Sequence, residues 1–242
     1  MRDHEVVETF ISHLRDNGFP GLVIERRPEL DKHVPFNMRI EAIAGPFAIE
    51  HTSIDTLPNQ RGKSDWFMRA TGGLEKELPI PPYRMNITID YNSINKGQNW
   101  AAIREALKTW ISKECPRLAD GRHIFDNVPG IPFRLQVTKA SDRPPRVFFT
   151  RYEPKDTSLP ERISRQLDTK INKLAHYREC GFITVLLIES DDIALMNENK
   201  MFDAIRDAYP DGFPPSVGKI WYVDTSIPSE IEFRDFAEHL VK

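Results

Sequence analysis

Two glutamates stand in neighbouring apolar runs of the segment RIEAIAGPFAIEHTSID, Glu41 in the first and Glu50 in the second. Gly45-Pro46 lies midway between them. A tight hairpin closed at that turn opposes positions 41 and 50 on one sheet face. Directly opposed residues hold their Cβ atoms roughly 5 Å apart, and like charges there are destabilising. The neighbours Ile40, Ala42, Ile43, Ala48 and Ile49 are apolar and offer these charges nothing. A hard divalent cation, Mg2+ or Mn2+, does, because it takes oxygen ligands from carboxylates. In this register Arg39, Ile43, Ala48 and Thr52 share the glutamate face, and His51 and Ser53 share the other. A slip of one residue would separate the carboxylates. Pairing with Arg39 at a sheet edge would satisfy them without a metal.

The elements that must position this pair follow from periodicity. Residues 3–17 carry Val6, Val7, Phe10, Ile11 and Leu14 on one helical face and stop at Asn17-Gly18. LVIER, MRIEAIA and FAIEHTSI read as three strands. A polar loop covers 55–63, a helix is predicted over 64–77, RMNITIDY is a strand and 98–113 an amphipathic helix. Residues 114–130 read as loop. FRLQVTKA and RVFFTRY read as a hairpin joined through SDRPP. A long helix over 160–179 places Ile163, Leu167, Ile171, Leu174 and Ala175 on one face, and Gly181 stops it. TVLLIES is a buried strand, a helix follows at about 197–208, and KIWYVDT is the last strand. This order predicts a three-layer α/β/α sandwich around a central mixed sheet. It predicts one domain over 1–242.

Composition narrows the function classes. The 242 residues are 40% hydrophobic and 29% charged, with a formal net charge of −3, so any basic surface must be local. Two cysteines, Cys115 and Cys180, exclude a disulfide framework and a four-cysteine zinc site within one chain. No apolar run reaches the roughly 18 residues of a membrane span, and MRDHEVVETF has no signal-peptide apolar region. A cytoplasmic location is expected. Monomer and homodimer both remain open.

Helix, three-stranded meander, an acid on the second strand and Glu-x-Lys on the third is the layout of the PD-(D/E)xK, or restriction-endonuclease-like, nucleases. The first 55 residues resemble it, with Glu41 as the acid and Glu50-His51-Thr52 as the third-strand element. Thr52 stands where that family has its lysine. The resemblance implies an Mg2+- or Mn2+-dependent nuclease acting on DNA or RNA, with Glu41 and Glu50 as metal ligands and catalytic residues. In such a site the Thr52 hydroxyl, or neighbouring carbonyls, would orient the metal-bound water. The resemblance implies a restriction-endonuclease-like core at about 1–55 and 156–225 with an insertion at 56–155, and since some members carry the lysine on the following helix it offers Lys170 and Lys173 for charge stabilisation. Lys173 flanks the apolar stripe beside Ile171 and Leu174 and is the stronger candidate. A catalytically inactive nuclease-fold module that binds nucleic acid or a partner protein is the alternative. RPELD, FAIEHTSID, RISRQLDTKINKL and TVLLIESDDIALMN also resemble a group of bacterial proteins with no assigned activity.

Other residues compete for roles. Pro28-Glu29 could serve as the acidic element in place of Glu41, and Glu25 and Asp31 are further acids. Gln60 and Arg61 could touch a phosphate. Glu189, Asp191 and Asp192 end a buried strand, a place that lines ligand crevices in α/β sheets but also holds helix caps. His51 is expected to orient its neighbour. Gly62-Lys63-Ser64 mimics a phosphate loop but has Leu57 where the pattern needs glycine. From 134 to 178, eleven cations face five acids. Arg143, Arg146, Arg151, Arg162 and Arg165 are the candidates there for contacting a nucleic-acid backbone.

Overall fold

The structure, a computed structural model, describes residues 3–236. The chain divides into two compact units, Met1–Leu57 with Thr157–Lys242, and Pro58–Asp156.

The first unit begins with α1 (Asp3–Asp16), whose stripe Val6, Val7, Phe10, Ile11 and Leu14 is buried. Each such side chain contributes about 1.5–3 kcal/mol on burial. Then come β1 (Ala42–Ala44) and β2 (Phe47–Ser53). After the second unit the chain returns as α5 (Leu159–Glu179), β7 (Ile183–Ser190), α6 (Glu198–Ala208), β8 (Lys219–Asp224) and β9 (Glu232–Asp235). The sheet order is β1-β2-β7-β8-β9. The outer pairs are antiparallel, while β2–β7 and β7–β8 are parallel. Alternation along the strands splits the core in two. Ala48, Leu186, Ile188 and Ile220 pack with α5 and α6, whereas Phe47, Ile49, Val185 and Leu187 pack with α1. The first unit is therefore a mixed sheet with helices on both faces.

The hairpin has the register its turn predicts, with Ala42 opposite Ile49 and Ala44 opposite Phe47. Gly45 takes φ 50°, a left-handed conformation cheap only for glycine, and this closes the two-residue turn. The strand expected over MRIEAIA shrinks to Ala42–Ala44, so Glu41 sits just before it. LVIER contributes only an isolated bridge, Arg26 to Ile43. Pro28 begins a 3-10 turn two residues later, so no strand continues there, although the Glu29 amide still donates to the Ile40 carbonyl at 3.0 Å.

The second unit holds α2 (Gln60–Thr71), α3 (Leu74–Glu77), β3 (Arg84–Asp90), α4 (Trp100–Glu114), β4 (Gly121–Phe125), β5 (Leu135–Ala140) and β6 (Arg146–Tyr152). Its sheet order is β4-β5-β3-β6. Met85, Ile87, Leu135, Val137 and Val147 pack against Leu74 of α3 and Ile103, Leu107 and Ile111 of α4.

Several expectations are corrected here. There are two sheets, not one. FRLQVTKA and RVFFTRY do not pair with each other, because β3 lies between them, antiparallel to β5 and parallel to β6. The SDRPP loop has only to cross two interstrand spacings, roughly 10 Å, and five residues span that easily. The helix expected over 64–77 breaks at Gly72-Gly73, where Gly73 has φ 80°. The loop expected over 114–130 contains β4, an edge strand polar enough to hide its alternation. KIWYVDT is not the last strand, since β9 pairs with it. No helix among the described residues is long and apolar enough to cross a membrane.

Candidate functional site

The ladder, continued one step past Ala42–Ile49, opposes Glu41 to Glu50. Glu50 is fully buried and Glu41 nearly so. Helix α5 lies over this face because Ile163, Leu167, Ile171 and Leu174 pack down on β2 and β7. Beside that apolar stripe runs a polar one: Gln166, Lys170 and Lys173, spaced by four and three residues, which is one helix face.

Each member of the polar stripe reaches β2. Lys170 Nζ lies 2.6 Å from Glu50 Oε1, and Lys173 Nζ lies 2.9 Å from the same oxygen. Gln166 Nε2 donates to Thr52 Oγ1 at 2.7 Å and to the Ser53 carbonyl at 2.8 Å. Lys173 also sits 6.0 Å from the ring centre of Phe36, an exposed residue of the segment leading into β1. Tyr177, one turn further along α5, donates to the Met38 carbonyl at 2.7 Å and anchors that segment.

The second oxygens of both glutamates, Oε2 of Glu41 and Oε2 of Glu50, are buried without a hydrogen-bond partner. Burial pushes the Glu41 carboxyl up to about 8, helped by a hydrogen bond to Glu29 and by the charges of Glu29 and Glu50, against the pull of Lys170. Glu29 and Glu41, weighed as alternatives in the sequence, thus meet at one place. Lys170, ranked behind Lys173, is at least as close to Glu50. Gln166 was not foreseen. Its spacing from Lys170 and Lys173 was the available signal.

The opposite face of β2 carries a second polar cluster. His51 Nε2 is 3.0 Å from Glu189 Oε2, and Thr225 Oγ1 donates to Glu189 Oε1 at 2.7 Å. His51 Nδ1 faces Asp3 at 4.0 Å. Burial pushes the Glu189 carboxyl up, but hydrogen bonds from His51 and Thr225 outweigh it and leave the group below its usual range. His51 therefore engages Glu189 across the sheet rather than orienting Glu50. Asp192 bonds the Thr56 hydroxyl and the amides of Ala194 and Leu195, as a turn cap does.

Among the described residues, the three-donor group with ligand atoms within 4.8 Å of one another is Asp3, His51 and Glu189. The Glu41–Glu50 pair offers two donors. Two oxygens of that pair, Glu41 Oε2 and Glu50 Oε2, are buried and unsatisfied. In the other cluster His51 Nε2 already holds Glu189, and Asp3 is 70% exposed.

The arginine candidates separate. Arg162 donates to the Asp55 and Thr56 carbonyls at 2.9 and 2.6 Å and ties α5 to the end of β2. Arg165 is exposed and pairs with Glu161. Arg143, Arg146 and Arg151 belong to the second unit. There Arg151 lies against the rings of Phe67 and Tyr91 and bonds Ser64, whereas Arg143 and Arg146 are exposed. Lys139 is buried and caps the end of α4 by donating to the carbonyls of Cys115, Pro116 and Leu118. Lys63 is within α2 and donates to Asn92, so the phosphate-loop look-alike is helical. Comparison with known family models, characterised proteins and solved structures finds no match.

Proposed function

We propose that the first unit is a metal-dependent phosphodiesterase of the PD-(D/E)xK kind, acting on nucleic acid. The observation that carries this is the convergence of Glu41, Glu50, Lys170 and Lys173 at the junction of β2 and α5. In that nuclease layout a strand acid and a lysine share one site, and here α5 supplies the cation that Thr52 lacks. The bridge at Arg26, β1 and β2 also follow one another as the meander of such a fold does.

The residues fit a divalent cation by the donor set itself: two buried carboxylate oxygens with no partner, on opposed positions. Glu41 and Glu50 would hold Mg2+ or Mn2+. When bound, such an ion supplies charge neutralisation at the phosphate and an acidified water. The chain supplies the rest. Lys173 and Lys170 place positive charge beside Glu50, where a phosphate oxygen gains charge during displacement. Thr52, held by Gln166, fixes the distance between α5 and β2 at the site. Its hydroxyl proton stays available to a water.

The test is cleavage of supercoiled plasmid and of single-stranded oligonucleotide by the full chain in Mg2+ or Mn2+. Activity that disappears in EDTA and in Glu50→Gln supports the proposal. A folded chain that cuts neither substrate with either metal overturns it.

One observation favours the inactive-module alternative. With a proton on Glu41 and two lysines on Glu50, the site carries no surplus negative charge that calls for a metal. That reading expects salt-sensitive binding that survives EDTA, with no cleavage.

A further inference from the structure

The sheet of the second unit has helices on one face only. Alternation assigns its other face: Arg122 and Ile124 from β4, Gln136 and Thr138 from β5, Arg84, Asn86, Thr88 and Asp90 from β3, and Arg146, Phe148, Thr150 and Tyr152 from β6. Ile124 is 52% and Tyr152 44% exposed, although both are large and apolar in body. A hollow of about 450 Å³ opens on this face, lined by Thr88, Arg122, Ile124, Arg134, Gln136 and Tyr152.

The charge on this face has one sign to spare. Arg134 is paired with Asp126. Asp90, at the end of β3, holds the Asn92 amide and acts on the Tyr152 hydroxyl. Arg84, Arg122 and Arg146 have no carboxylate partner among the described residues. Arg84 instead stacks on Phe148, with its guanidinium carbon 4.9 Å from the ring centre. Arg122 bonds the neutral Gln136. Phe148 and Tyr152 lie on the same face of β6, four residues or roughly 13 Å apart.

We propose that this open face is a binding platform for single-stranded nucleic acid. Unstacked bases lie on exposed aromatic rings and on guanidinium planes, and their phosphates are met by unpaired arginines. Tyr152 and the Arg84–Phe148 stack are two such platforms. Arg122 and Arg146 flank them, and Asn86, Thr88, Gln136 and Thr138 between them can meet base edges. A duplex hides its base faces, so the aromatic groups would gain nothing from it. The proposal rests on the nuclease reading only for the use to which a bound strand is put. The binding follows from the sheet alone.

The experiment measures anisotropy of fluorescent 20-mer oligothymidylate and oligouridylate, and of a 20-base-pair duplex, with full-length Glu50→Gln protein in EDTA. Single strands of either sugar should bind more tightly than the duplex. Tyr152→Ala, at an exposed position, should weaken single-strand binding roughly 5- to 100-fold. Arg84→Gln, Arg122→Gln and Arg146→Gln should each flatten the log–log salt slope by about 0.7. Equal binding by wild type and all four variants overturns the platform. So does preference for the duplex, or binding of none of the probes. Cleavage assays separate the two proposals. A wild-type chain that binds but never cuts in metal counts against the nuclease alone, and single-strand binding that does not depend on Tyr152 counts against the platform alone.

Discussion

Lys170 and Glu50 are 120 residues apart in sequence, yet the Lys170 ammonium sits 2.6 Å from a carboxylate oxygen that is wholly buried. Lys173 reaches the same oxygen, so one atom of Glu50 is served twice while the other is left bare. Simple charge pairing would spread the two cations over both oxygens. This geometry leaves Oε2 of Glu50 and Oε2 of Glu41 buried without a hydrogen-bond partner.

Removing one lysine should therefore cost less than removing both. Lys170→Met or Lys173→Met loses one charged hydrogen bond, about 1.5–3 kcal/mol. The double variant leaves Glu50 buried and unpaired, at about 3–5 kcal/mol. Hydrogen exchange of the Phe47–Ser53 amides reads the first unit directly. If the double variant exchanges no faster than the singles, the two lysines do not share Glu50.

Glu41 predicts how stability follows pH. Its folded value, about 8, lies above the ordinary 4.5. The folded state therefore binds a proton that the unfolded state releases, and stability falls as pH rises from 4.5 to about 8. Glu41→Gln removes the titration. It should be more stable than wild type above pH 8, by about 1–2 kcal/mol after discounting for solvent access, and should match it near pH 4. Urea melts across pH 4–9 check this, and parallel profiles would show that Glu41 ionises normally. For the same reason Mg2+ or Mn2+ affinity should climb toward pH 8, because the ion must displace that proton.

The hairpin register was legible because Gly45-Pro46 pins its centre, and a period-two pattern then carries every side chain to a face. The α5 contact was half legible. Lys173 borders an apolar stripe that had to face the sheet, but the choice between it and Lys170 depends on side-chain reach. Gln166 needed the strand it touches. The placement of β3 between β5 and β6 was hidden, since adjacent strands joined by a short loop usually pair. The restriction-endonuclease-like core was an expectation from a resemblance over 55 residues, the metal one from the facing carboxylates as well, and the nucleic-acid partner one from the basic stretch over 134–178 as well; all three stand as proposals. Glu189 with His51 was invisible, because a strand-end acid reads as a cap until the fold brings His51 from 138 residues away.

That pair makes its own prediction. Glu189 titrates below its ordinary 4.5, so it contributes stability that is present above pH 4.5 and lost as pH falls through its folded value. Glu189→Gln should cost about 1.5–3 kcal/mol at pH 7, the worth of charge-assisted hydrogen bonds. The difference should close once the pH falls below that folded value. Denaturation at pH 7 and down a series of acid pH values decides it, and a gap that persists throughout would assign the loss to packing.

Thr52 offers the sharpest separation of fold from chemistry. It sits two residues from Glu50 on the same face, roughly 7 Å along the strand, and its hydroxyl accepts from Gln166. A lysine at 52 would restore the Glu-x-Lys element, and its side chain is long enough to reach Glu50. In the wild-type background it adds a third cation where two already stand. Thr52→Lys should therefore not raise cleavage, and should cost stability through crowding and like-charge repulsion. In a Lys170→Met/Lys173→Met background the same change supplies the only nearby ammonium, and should restore most of the lost cleavage and the slow exchange of the β2 amides. Plasmid nicking in Mn2+ with exchange on the same preparations reads both. Recovery of slow exchange without nicking would make the lysines of α5 structural partners of Glu50 and nothing more.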